Sequence, residues 1–172
     1  MYNYAQSIIF AGQGGHMAQI KRKEAREILF GLLFEKEFKC GENIDEIYNI
    51  SVENREIPDD AYIKNGFYTI AEKSELLDTV IGKYANGWKT DRLSRVSRSV
   101  IRLAVYEMLF CKDIPANVSI SEAVELVKKY GEDKARAFVN GVLSSINKDV
   151  SEAGVEAFVA SHTAEAEAPS EE

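Results

Sequence analysis

Apolar residues return every three or four positions along most of the chain, the spacing that lines them up on one face of an α-helix. The first run lies between Gln19 and Phe38, where Ala25, Ile28, Leu29, Leu32 and Leu33 make a stripe widened by Phe30 and Phe34. Gly41 ends it, and Asn43 is placed to cap a second helix carrying Ile44, Ile47, Tyr48 and Ile50. After a polar loop, Pro58 and the Asp59-Asp60 pair predict the start of a third helix, running to about Glu72 on Tyr62, Ile63, Phe67 and Ile70. Neighbouring helical side chains point about 100° apart, so the two aspartates read as caps and not as a shared carboxylate site. Ser74 is the expected N-cap of a fourth helix, with Leu76, Leu77, Val80, Ile81 and Tyr84 on its buried side. Asn86-Gly87 ends that helix, Trp88 follows as a plug at the join between subdomains, and Asp91 opens a short turn.

From about Val96 to Cys111 the chain is apolar on nearly every side, which predicts a central, buried helix. Asp113-Ile-Pro115 stops it. Two more helices fill Asp113 to Ile146. The first carries Ile120, Ala123, Val124 and Val127, and the second Ala135, Phe138, Val139, Val142, Leu143 and Ile146. Ser119 and Glu122 match the Ser-x-x-Glu capping box of the first, and Gly131 suits a left-handed residue at its end. Beyond Ile146 the pattern continues raggedly to about Val159 and fades. The expected architecture is all-α, about seven helices in two small packed bundles: about 17–72 and about 73–150. Residues 1–16 read as a start-site or tag extension, with Met17 as the natural start, and residues 151–172 as an acidic, largely disordered tail.

The net charge of −7 changes little in this picture, because it is concentrated at one end. Residues 147–172 hold Lys148 alone against Asp149, Glu152, Glu156, Glu165, Glu167, Glu171 and Glu172, so the helical body is close to neutral. An acidic average therefore does not exclude a nucleic-acid partner. No apolar run is long enough for a membrane span. Cys40 and Cys111 lack metal-ligand spacing and read as buried or half-buried free thiols, which fits a reducing cytoplasm. His16 and His162, the two histidines, both fall outside the expected core. There is no phosphate-binding glycine loop, no Cys-x-x-Cys and no nucleophile with a base, so the chain reads as a non-enzyme without cofactor or metal.

Two clusters of positive charge stand out. Lys21, Arg22, Lys23 and Arg26 crowd the start of the first helix, where the macrodipole favours acids, and Phe30 and Phe34 continue the line of Arg22 and Arg26. Cations for phosphates and rings for bases suit single-stranded nucleic acid. A solvated helix start with core phenylalanines stays open as the alternative, and Glu24 and Glu27 dilute the cluster. Arg92, Arg95, Arg98 and Arg102 form a second ridge on the central helix, open either to a ligand or to pairing with acids such as Glu107.

Tyr106-Glu107, Asp113-Ile-Pro115, the run from Val118 to Leu126, Tyr130-Gly131 and the block from Phe138 to Leu143 resemble the signature of the bacterial NusB antitermination-factor family. So does the run from Arg22 to Glu27, and the resemblance covers about Gln19 to Ile146. It implies an all-helical factor that binds the boxA segment of ribosomal RNA operons with the ribosomal protein NusE, alongside RNA polymerase and other Nus factors. By the same resemblance, the RNA-binding candidates are Lys21, Arg22, Lys23, Arg26 and Phe34, with Phe138 a further one for which core packing is the alternative. Glu24 stands where the family often has another base, Phe34 where tyrosine is familiar, and Ser121 where asparagine is usual. Ser97, Arg98, Arg102 and Glu107 are the candidates for the NusE-facing surface. The competing class is a helical interaction module or homodimer without direct RNA binding.

Overall fold

The structure is a computed structural model that describes residues 20–85 and 93–166. The 1–16 extension, Met17, the Asn86-Gly87 stop, Trp88, Asp91, Arg92 and the last residues of the tail lie outside the described residues. Within them the chain forms eight helices and no strand: α1 (Arg22–Lys36), α2 (Ile44–Arg55), α3 (Ala61–Glu72), α4 (Ser74–Tyr84), α5 (Arg95–Phe110), α6 (Ala116–Tyr130), α7 (Asp133–Ala153) and α8 (Val155–Ala166).

The organising element is α5. Its nearly all-round apolar surface is buried, and it packs against α1, α3, α4, α6 and α7. Around it, α1 packs on α2 and α3, while α6 packs on α7, and α4 and α7 on α8. Leu29, Leu32, Ile63, Phe67, Leu77, Ile81, Ile101, Leu103, Leu143 and Ile146 belong to one continuous core. Each full burial of such a side chain contributes about 1.5–3 kcal/mol. Gly66 lets α3 approach α1 closely, because a Cβ there would meet Leu29 Cδ2 at 2.5 Å.

Two expected helix starts hold in detail. The Asn43 side chain accepts from the backbone N–H groups of Asp45 (2.8 Å) and Glu46 (3.3 Å), and the Asp60 side chain from that of Ile63 (3.0 Å). Others differ. Ser74 does not cap α4, since it is already the first residue of that helix and Lys73 both closes α3 and opens α4. The capping box is also not formed. Pro115, with its backbone angle already fixed, starts α6 at Ala116, so Ser119 lies buried within the helix and Glu122 turns towards α1. Gly131 is extended (φ −106°, ψ −169°) and not left-handed; it is required for space, because a Cβ would stand 2.9 Å from the Val127 carbonyl oxygen.

The tail is corrected over most of its length. Gly154, at φ +82°, breaks the chain after α7, and residues 155–166 then fold as α8. Phe158 and His162, one turn apart, bury together against Tyr84, so His162 is inside the structure and not outside it. Its ring Nδ1 lies 2.8 Å from the Phe158 carbonyl oxygen. The thiol of Cys111 is half-buried, as expected, and burial raises its pKa, whereas Cys40 is exposed.

Candidate nucleic-acid interface

Three sets of contacts fix α1 in place. At its start the Arg22 guanidinium lies 4.3 Å over the Tyr62 ring and 3.3 Å from Asp113. In its middle, Arg26 turns inward: its Nε donates to Glu107 at 2.8 Å and its Nη1 to Glu122 at 3.3 Å, while the Tyr62 hydroxyl donates to the same Glu107 oxygen at 2.5 Å. Past its end, Glu37 accepts from both Arg98 and Arg102, and Arg102 makes a two-pronged bond to Asp78 of α4 at 2.7 and 2.6 Å. Burial alone would lower the pKa of Arg26 and of Arg102, but the facing carboxylates more than offset it and hold both above the ordinary arginine value.

This bracing sorts the sequence-predicted residues. Arg26 is 3% exposed and Glu107 fully buried, so the guanidinium expected to meet RNA is spent on carboxylates of the interior. Lys21, Arg22 and Lys23 are exposed at the start of α1, where no side chain caps the helix and the positive end of its dipole adds to their charge. Phe34 is half-buried, 6.0 Å from Phe30 and edge-on to Phe38 at 5.1 Å. Phe138 is half-buried on α7 and packs against the core. Of the residues expected to face a protein partner, Ser97 and Glu107 are interior and offer no surface. Arg98 and Arg102 are paired with Glu37 and Asp78, and not with Glu107 as the sequence allowed.

Residues that the sequence reading passed over complete the face. An open groove of about 410 Å³ between α1 and α6 is lined by Lys23, Arg26, Glu27, Glu122, Glu125, Leu126, Lys128 and Lys129. Tyr130, next to Lys129, packs its ring 5.1 Å from Phe30. Lys23, Glu27, Phe30 and Phe34 recur at helical spacing along α1, with Phe30 buried beneath Phe34, and Phe38 follows in the turn beyond the helix. At the far end Arg95 lies 4.5 Å over the ring of Phe38, which is 59% exposed. The run Lys128-Lys129-Tyr130 was the available signal: two cations and a ring where a helix stops. Such a face can neutralise phosphates and offer rings to bases. Among the described residues no cluster of three or more His, Cys, Asp or Glu is arranged to hold a metal, and no helix is long and apolar enough to cross a membrane.

Comparison with known proteins agrees over the same span. The model of the NusB family matches residues 20–148. The transcription antitermination protein NusB of Clostridium perfringens strain SM101 is 40% identical over 135 residues, covering 76% of this chain and 99% of the relative. That of Bacillus subtilis strain 168 is 40% identical over 133 residues, covering 76% and 98%. Among solved structures, T. maritima NusB superposes with a TM-score of 0.68 at 35% identity, over 77% of this chain and 94% of the other. A crystal structure of antitermination factors NusB and NusE in complex with dsRNA does so with a TM-score of 0.66 at 37% identity, over 74% and 96%.

Proposed function

The chain belongs to the NusB family, and from that premise we propose that it is a transcription antitermination factor. It binds boxA-type RNA of ribosomal RNA operons together with the ribosomal protein NusE, within the antitermination complex of RNA polymerase and other Nus factors in the cytoplasm. The observation that supports this reading most is the groove that brings Lys23 of α1 beside Lys128 and Lys129 of α6, with the accessible rings of Phe34 and Phe38 further along α1 and in the turn after it. Phosphates follow the lysines along the α1–α6 groove, and unpaired bases reach the rings. Lys21 and Arg22 extend the positive surface past the start of α1. Arg26 acts through position, holding α1 to α5 and α6 so that its outer face is already formed when RNA arrives. Arg98 and Arg102 are proposed for the NusE side through the edges they leave exposed. The role is binding and assembly, without catalysis.

The test is RNA binding by the full chain across a salt series, with single-stranded boxA-like, scrambled and duplex RNA, each with and without NusE. Lys23→Ala with Lys128→Ala weakens boxA-like binding by about 1–3 kcal/mol and lowers the salt slope by roughly 0.7 per lost phosphate contact. Unchanged affinity and slope would remove the groove from the RNA site. Sedimentation over a range of concentrations separates this reading from a homodimer that buries the same face.

A further inference from the structure

The groove contains a carboxylate that already occupies two donors. Glu27 lines the groove and accepts from both the Lys129 ammonium and the Tyr130 hydroxyl. Lys129 also lies 5.1 Å from the centre of the Tyr130 ring, so ammonium, hydroxyl and carboxylate form one compact unit at the end of α6. The other acids of the groove are engaged elsewhere: Glu122 with Arg26, and Glu125 with Lys128 at 3.7 Å. With Arg26 already matched by Glu107 and Glu122, Lys129 is the cation bonded to Glu27, while Lys23 on α1 feels the same charge without a direct bond. A carboxylate and a phosphodiester present the same kind of acceptor to Lys129 and Tyr130.

We propose that Glu27 is a built-in counter-charge. In the free protein it occupies Lys129 and Tyr130, and RNA phosphate takes over both donors on binding. This rests on the RNA-binding role proposed above and adds a residue that lowers affinity. Every RNA must displace the same carboxylate, so a sequence with few base contacts falls below useful affinity while one with many still binds. The unit is linked electrostatically as such a device requires. Burial acts to raise the Glu27 pKa, but the bonds from Lys129 and Tyr130 outweigh it and hold it below the ordinary value, and Lys129 is correspondingly raised by Glu27.

Glu27→Gln tests this in the full chain, because glutamine keeps the shape and an acceptor oxygen for Tyr130 but removes the charge. Binding of boxA-like and scrambled single-stranded RNA is titrated over a salt series for wild type, E27Q, K129A and the double variant. E27Q is expected to tighten both RNAs about two- to fivefold, the range a half-exposed ion pair supports, with the salt slope little changed, because Lys129 engages a phosphate in both complexes, while K129A lowers the slope by roughly 0.7. In the K129A background the gain should disappear. Unchanged or weaker binding by E27Q overturns the inference. So does a gain that persists undiminished in K129A, since that would reflect the effect of Glu27 on Lys23 or on net charge and not the release of Lys129. Wild-type protein that binds neither RNA overturns the RNA-binding role itself, and this inference with it.

Discussion

Replacing Arg26 by alanine separates a structural from a contact role. In the wild type, Glu107 is fully buried and its carboxylate is met by the Arg26 guanidinium at 2.8 Å and the Tyr62 hydroxyl at 2.5 Å. Without the guanidinium, Glu107 keeps one neutral donor in a site closed to water, and Glu122 loses its partner across the groove. Removing one member of a buried pair costs about 3–5 kcal/mol, because the other charge is left uncompensated. That is a large share of the roughly 5–15 kcal/mol typical of a domain. In urea, with m of about 1–3 kcal/mol/M, the midpoint should fall by about 1 M or more at unchanged m. Where the variant is still folded, its RNA affinity should change less than that of Lys23→Ala. Arg26→Ala with Glu107→Ala should recover part of the loss, since it removes the stranded charge along with its partner. A stability change below about 1 kcal/mol, combined with a tenfold loss of RNA affinity, would refute the reasoning and return Arg26 to the RNA surface.

Phe34→Ala should weaken boxA-like RNA by about 1–3 kcal/mol in calorimetric titration, while Phe34→Tyr retains binding because the ring face is kept. Gly131→Ala should lower stability by about 1–3 kcal/mol in thermal melts, since its Cβ would press on the Val127 carbonyl oxygen. Glu27 has a depressed pKa in the folded protein, so its pairing stabilises the fold above the ordinary carboxylate pKa of 4.5 and is lost as pH falls through the folded value. The stability difference between wild type and Glu27→Gln, followed by urea unfolding at several pH values, should therefore be largest near neutrality and vanish in acid. Ending the chain after Ala153 removes the buried Phe158 and should cost about 1.5–3 kcal/mol or more, with RNA affinity unchanged.

The apolar stripes of α1, α3, α4 and α5 were legible because their spacing is a local property, and so were the Asn43 and Asp60 caps, whose partners are two or three residues away. Arg26 was not. Its partners Glu107 and Glu122 are 81 and 96 residues distant, and nothing near it distinguishes this inward cation from the outward ones at Arg22 and Lys23. The Ser119–Glu122 spacing fits a capping box, but the start of α6 is decided by Pro115, whose backbone angle acts before any side chain. Helix α8 escaped notice because two side chains, Phe158 and His162, bury its face in a stretch whose composition is otherwise that of a solvated tail. The groove escaped for a similar reason. Lys23 and Lys129 are far apart in sequence and become neighbours only when α1 and α6 are packed.

The placement of α5 bears on whether this chain can be divided. Glu107 serves an arginine from α1, while Arg102 serves Asp78 of α4 and Glu37 beyond α1, so the same helix completes ion pairs for both the first and the fourth helix. Severed between α4 and α5, the amino-terminal piece would carry Arg26, Glu37 and Asp78 bare beside an open apolar face, and the other piece would carry their counterparts. Neither should fold alone. Mixed together, they have every reason to reassemble, which makes the cut a natural place for a split reporter whose signal returns only when both pieces meet.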